Sequence, residues 1–206
     1  MALFTEERLR NRVQTLLRKS AVGSIYDSHQ VKAKLLLEKS LNEQRLSSIT
    51  PKIYDIFLSH SSDDAELVQG LKLEIEDMGH SVYIDWIEDP QIDRSQVTKE
   101  NAFILQERMK NCKSLIYAFS ENASNSKWMP WELGYFDGLK NTVAILPISK
   151  NEKQDFKGSE YLGIYPYIKR DQIEGGDGSF HLWVYETFNK YIFFSSWLLG
   201  FKPMQK

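Results

Sequence analysis

Three stretches of this chain collect side chains able to do chemistry. The first reads Ser59-His60-Ser61-Ser62-Asp63-Asp64. Hydroxyls and carboxylates just ahead of a helix can cap its first N–H groups, and the same N–H groups can receive a phosphate. Ser59 and His60 do not read as a catalytic dyad, because neighbours on a chain rarely face each other. The second stretch, Asp85 to Ser95, is long and polar, with Trp86 and Pro90 inside it and Arg94 near its end. Segments of this size after a strand often cover a site; an ordinary surface loop is the alternative. The third, Ser120 to Gly138, carries Ser120, Trp128, Pro130, Trp131 and Glu132. Pro130 suits a first helical position. That would put Glu132 in the first turn, where the helix dipole favours the ionised carboxylate by about 0.3–1 kcal/mol. A glutamate there can equally be a cap, and Trp128 and Trp131 can equally be core anchors. Gly134 and Gly138 each cost about 1 kcal/mol in a helix relative to alanine. Their spacing leaves one bare face, which predicts that something packs closely against it.

Other signals carry less. Gly175-Gly176-Asp177-Gly178 reads as a flexible turn and lacks the strand-to-helix spacing of a dinucleotide fingerprint. No phosphate loop of glycines and lysine is present. Asn122-Ala123-Ser124 matches a glycosylation acceptor, which a cytoplasmic chain would not use. The single cysteine, Cys112, excludes an internal disulfide framework and a cysteine zinc site, and is expected late on a helix as inert packing. His29, His60, His80 and His181 match no metal-ligand spacing, so no metal is expected.

The elements that must position these residues alternate between strand and helix. Ile53 to Leu58 is a short apolar run, a buried strand. Asp63 to Met78 is amphipathic through Leu67, Leu71, Ile75 and Met78, with Gly79 as its stop. Val82 to Ile84, Leu115 to Phe119, Val143 to Ile148 and Tyr167-Ile168 read as further strands. Gln96 to Asn111 and Pro130 to Lys140 read as helices, and Phe180 to Leu199 as a long aromatic-rich one. Alternation of this kind implies an α/β fold, a parallel sheet of about five strands with helices on both faces and right-handed crossovers. Ligands then bind outside the carboxyl ends of the strands at the switch point, which directs attention to the loops after Leu58, Ile84 and Phe119.

The chain has 206 residues, 42% hydrophobic and 26% charged, with a net charge of −2. That size fits one α/β domain with a modest extension, and the charge offers no global attraction to nucleic acid or acidic membranes. Charge is uneven: residues 1–50 hold 9 basic and 5 acidic side chains, the remainder 17 and 23. This first segment reads as a helical N-terminal extension. One helix carries Leu9, Val13, Leu16 and Leu17, a second follows Ser28, and Ser47 to Pro51 links them to a main domain over residues 51–206. Two short helices cannot build a core alone and should dock on the domain or on another chain. The start of the chain does not read as a secretory signal, and Tyr191 to Phe201 is too short to span a bilayer, so a cytoplasmic location is expected.

Taken together, these segments resemble a Toll/interleukin-1 receptor (TIR) domain. Tyr54-Asp55-Ile56-Phe57-Leu58-Ser59-His60-Ser61-Ser62-Asp63-Asp64 is similar to the family's first strand and loop, and Val82-Tyr83-Ile84-Asp85 to its second strand and exit. Trp128 and Glu132 form the W-x-x-x-E pattern of NAD-cleaving members. Trp131-Glu132-Leu133-Gly134 and Leu146-Pro147-Ile148 resemble bacterial examples in particular. The resemblance covers about residues 52–170 and leaves residues 1–50 aside. It implies a flavodoxin-like fold and cleavage of NAD+ to nicotinamide and ADP-ribose, or a cyclic isomer of it, as in Thoeris-type antiphage systems. It also implies Glu132 as the catalytic glutamate, with Ser59, His60, Asp85, Trp86, Arg94, Ser120 and Trp128 lining the NAD+ pocket. One departure is visible: no glycine lies between Asp85 and Ser95, where the family usually has one.

The implied chemistry suits these residues. Loss of neutral nicotinamide leaves oxocarbenium character on the ribose, which a carboxylate stabilises best where water is excluded. No cofactor is expected, NAD+ being the substrate. The expected partners are NAD+, a second copy of the chain, and an effector protein that responds to the product, with neither nucleic acid nor membrane. A non-catalytic TIR scaffold is the main alternative, since fold alone does not fix function. A flavodoxin-like regulator is disfavoured because Asp55 precedes its strand end.

Overall fold

The computed structural model describes residues 3–19, 52–90, 92, 96–151, 156 and 160–205. In chain order its strands are β1 (Phe4–Thr5), β2 (Tyr54–Ser59), β3 (Val82–Tyr83), β4 (Cys112–Phe119), β5 (Val143–Ser149), β6 (Tyr167–Gln172), β7 (Phe180–Thr187), β8 (Lys190–Phe193) and β9 (Met204–Gln205). Its α-helices are α1 (Glu6–Lys19), α2 (Ala65–Asp77), α3 (Asp85–Glu88), α4 (Lys99–Lys110), α5 (Trp128–Lys140) and α6 (Phe194–Leu198).

The strands line up as β3-β2-β4-β5-β6-β7-β8-β9, and the first five neighbours pair in parallel. This is the expected parallel sheet. Period-two alternation sorts its side chains into two cores. Ile56, Leu58, Ile116, Ala118, Ala144 and Leu146 face the layer of α1 and α2. Phe57, Leu115, Tyr117, Val143 and Ile145 face the layer of α4 and α5. Gly79, at φ +87°, lets the chain leave α2 in a left-handed conformation. Thr98 caps α4 by accepting the Asn101 N–H at 3.2 Å.

Four sequence expectations need correction. The long helix over Phe180–Leu199 does not form: β7 and β8 make an antiparallel hairpin there, followed only by the short α6. Leu182 and Val184 bury on one face of β7, Trp183 and Tyr185 on the other. That is a strand period written in residues that favour strands. Second, α5 starts at Trp128 rather than Pro130, so Glu132 lies one turn in, where the dipole effect has largely faded. Third, a Cβ on Gly134 or Gly138 would meet nothing within 4 Å, so the bare face of α5 is open. Fourth, Cys112 opens β4 rather than ending a helix; it is fully buried, and burial pushes its thiol up to about 12.

The N-terminus joins the main body through both strand and helix. Phe4 and Thr5 pair in parallel with Ile148 and Ser149 of β5. The predicted first helix forms as α1, burying Leu9 and Val13 completely, for about 1.5–3 kcal/mol each. It crosses α2 at Gly70, where a Cβ would lie 2.3 Å from the Leu9 carbonyl oxygen. Ion pairs from Arg10 to Glu66 and from Arg12 to Asp77 flank that crossing; exposed pairs of this kind add little beside the buried leucine and valine. The second helix expected after Ser28 and the linker Ser47–Pro51 lie outside the described residues. No helix among the described residues is long and apolar enough to cross a membrane.

Candidate functional site

The connections from β2 and β4 leave in opposite directions, the first through α2 to the edge strand β3, the second through α5 to β5. The crevice of such a sheet lies at this divergence, beyond the carboxyl ends of the strands. Ser59 ends β2 directly opposite Tyr117 of β4. Ser120 follows the last residue of β4, and Asp85 opens α3 beyond β3. The sequence's three stretches therefore converge at the carboxyl ends of the strands, where α5 adds Glu132.

Glu132 is fully buried, and the Ser59 hydroxyl donates to its Oε2 at 2.6 Å. A charge-assisted bond of that length is among the stronger kinds in proteins. The Tyr117 hydroxyl is pushed up to about 12 by its burial, with Tyr161 and Glu132 adding to the shift. Because the Glu132 carboxylate has no exposed surface, a substrate reaches it only when neighbouring groups move.

His60, also buried, is held at both ring nitrogens. Its Nε2 lies 2.9 Å from the Trp86 indole nitrogen, which can only donate, and its Nδ1 lies 2.8 Å from the Leu58 carbonyl oxygen. The network thus assigns the neutral ring with its proton on Nδ1. Asp85, equally buried, stands with Oδ1 3.6 Å from the same Nε2. Trp86 thereby orients an imidazole beside a buried carboxylate, and α3 fixes the start of the segment that the sequence presents as a plain polar loop.

Ser120 donates to the buried Asp64, which also accepts the Asn122 side-chain amide at 2.7 Å. The Asn122 N–H in turn reaches the Ser120 hydroxyl at 3.1 Å. This cluster ties the loop after β2 to the loop after β4. Ser61 takes the capping role foreseen for its stretch, accepting weakly from the Asp63 N–H at 3.4 Å. Trp128 is buried in the α4–α5 core with its ring edge-on to Trp131, which stacks on Tyr135. Arg94 lies outside the described residues. A cavity of about 390 Å³ opens at the ends of β4 and β5, lined by Phe119, Ser120, Ser124, Ile148, Ser149 and Lys150 among others. It reaches Ser120 and stops short of Glu132.

Sequence reasoning missed the roles of four residues. Tyr117 lies inside an apolar run, and nothing in its spacing separates it from core. Asp64 and Asn122 bond across 58 positions of chain, a separation invisible to local patterns. Asp89 accepts from the Tyr83 hydroxyl at 2.7 Å and from both arms of Arg108 at 2.7 Å, anchoring the segment after α3 to α4.

A buried carboxylate, a fixed neutral imidazole and a second buried carboxylate can stabilise a developing positive charge and hold hydroxyl groups. Residues 56–174 match the family model of the TIR domain, more than half of the chain. The chain belongs to the TIR domain family. Among curated TIR relatives it is 48% identical, over 96% of its own length and 98% of theirs, to a protein of Bacillus cereus (strain MSX-D12) named as the probable 3' cyclic ADP-D-ribose synthase ThsB'. A Cytobacillus dafuensis protein, provisionally named cyclic ADP-D-ribose synthase TIR2, is 27% identical over 48% of this chain and 26% of its own length. The likeness to the first relative extends through the N-terminal segment as well as the sheet.

Proposed function

We propose that this chain cleaves the bond between nicotinamide and ribose in NAD+ and closes the remaining ADP-ribose into a cyclic isomer, with Glu132 as the central catalytic group. The observation that carries the reading is the buried Glu132 carboxylate, gripped by Ser59 at the switch point of a TIR fold. Likeness to ThsB' over nearly the whole chain supports a cyclic, 3'-linked product.

In this reading the C–N bond breaks with its electron pair leaving on nicotinamide, which departs neutral. The positive charge left on the anomeric carbon is stabilised by Glu132 in a water-poor site. A hydroxyl of the same molecule then attacks that carbon and loses its proton to carboxylate or solvent, closing the ring. Attack by water would give ADP-ribose instead. His60, Asp85 and Trp86 flank one side of the bound NAD+, and Ser59, Ser120, Trp128 and Arg94 complete its surroundings. No metal or further cofactor enters the scheme. The reaction runs in the cytoplasm as part of antiphage defence, its product serving as a signal to an effector protein, and self-association of the chain completes the enzyme.

The test is to incubate the purified chain with NAD+ and separate the products. Nicotinamide together with a cyclic ADP-ribose isomer is expected. NAD+ left intact, under conditions where the chain self-associates, would favour the scaffold reading.

A further inference from the structure

Arg170 lies on β6 with its side chain on the α1–α2 side of the sheet, the side opposite α5. It is 6% exposed, yet among the described residues its ion pair is a long one, 3.7 Å to Glu74, beyond hydrogen-bond reach. Its Nε is buried and has no hydrogen-bond partner among the described residues. Glu74 is already held by Arg8, whose Nε approaches it at 2.7 Å. The Phe180 ring stacks on the Arg170 guanidinium at 3.7 Å and fixes its plane. A guanidinium carries five donors and stays charged. Buried with its Nε donor unmatched, it is costly to keep.

Space adjoins it on two sides. Cavities of about 460 Å³ and 280 Å³ are both lined by Arg8, Arg12, Arg170 and Glu74. The larger one sets three arginines beside Glu7 and Glu74. Arg12 is also held by Asp77 at 2.7 Å and Arg8 by Glu74, which leaves Arg170 as the least compensated cation of the three. Its size falls in the range of small-ligand sites, roughly 300–1,000 Å³. Clustered arginines with planar forks are what recognise phosphate oxygens.

We propose that Arg170, Arg8 and Arg12 form an oxyanion site for a phosphate group, free or as the diphosphate of a nucleotide, on the face of the sheet opposite Glu132. The incoming oxygens meet the open Nε donor of Arg170 and share Arg8 with Glu74. Arg8 and Arg12 belong to α1, so occupancy ties that helix to β6. Burial lowers the Arg170 pKa, with Glu74 opposing and Arg8 reinforcing the shift; an anion in the cleft reverses that pressure.

The test is calorimetric titration of the full chain, at constant ionic strength, with inorganic phosphate, pyrophosphate and ADP-ribose. Saturable binding of at least one of them is expected. It should persist in Glu132→Gln and weaken roughly tenfold or more in Arg170→Met, the worth of a charge-assisted hydrogen bond. Arg8→Gln, at a half-exposed position, gives the same readout if Arg170→Met fails to fold. Binding of inorganic phosphate alone identifies the free anion as ligand; a clear preference for ADP-ribose identifies the nucleotide. No saturable binding of any probe would overturn the proposal. So would binding that survives the arginine variants and disappears in Glu132→Gln.

Discussion

Replacing Ser59 by alanine tests how far Glu132 depends on its neighbour. The substitution removes one hydroxyl and with it the 2.6 Å bond to a carboxylate with no solvent contact. A hydrogen bond to a charged group contributes about 1.5–3 kcal/mol. In a domain of this size each kcal/mol moves the melting temperature by about 2–4 °C, so a drop of roughly 3–12 °C is expected. If the same bond holds Glu132 in its working pose, the loss also appears in kcat/KM, roughly 10- to 100-fold. Nicotinamide release measured for wild type, Ser59→Ala, Glu132→Gln and the double variant forms a cycle that isolates the pair. Once Glu132 carries no charge, Ser59→Ala should cost little more, leaving a coupling of about 1 kcal/mol or greater. Additive losses, or a Ser59→Ala enzyme as active as wild type, would refute the idea that Ser59 works through Glu132.

Two further outcomes follow from the packing. Gly70→Ala should destabilise the protein by about 1–3 kcal/mol, because its Cβ meets the Leu9 carbonyl at 2.3 Å and α1 must move; the gain of about 0.5–1 kcal/mol that alanine brings to a helix is too small to offset this, and an unchanged melting temperature would contradict the crossing. His80 is held below its usual pKa by burial, with Asp55 opposing the shift and Lys113 and His181 reinforcing it. The unfolded chain therefore binds the extra proton first, so stability is full above about pH 6.5 and falls as pH drops toward the lower folded value. Melting curves of wild type and His80→Phe between pH 7.5 and 5.5 should diverge, with the wild type the more acid-sensitive of the two.

Much of the sheet was legible because its strands are short apolar runs bounded by turn residues, and α2 was legible because Leu67, Leu71 and Ile75 recur at helical spacing. The segment from Phe180 to Leu199 was misread for a physical reason. Phe180, Trp183, Tyr191, Phe194 and Trp197 also fall at intervals compatible with a helix. The alternation of Leu182 and Val184 against Trp183 and Tyr185 decides for a strand only once both faces of β7 have something to pack on. Around the site, the stretches holding Ser59, Asp85, Ser120 and Glu132 could be singled out from residue type and position after strands. The bonds that join them could not. Ser59 and Glu132 are 73 positions apart, and Asp64 and Ser120 are 56 apart. Arg170 escaped notice because one arginine in a strand has no pattern, and its significance comes from the helix at the opposite end of the chain.

Glu132 is the group proposed to stabilise charge on the ribose, and Glu132→Gln probes that role most directly, since glutamine keeps the size and removes the charge. Purified wild-type and Glu132→Gln proteins, matched by melting curve and solution mass, are incubated with NAD+ and nicotinamide is quantified over time. Loss of one such electrostatic group costs roughly a hundred- to a thousand-fold in comparable sites, so the variant should release nicotinamide at a small fraction of the wild-type rate while remaining folded. A folded Glu132→Gln protein releasing nicotinamide at close to the wild-type rate would contradict the account.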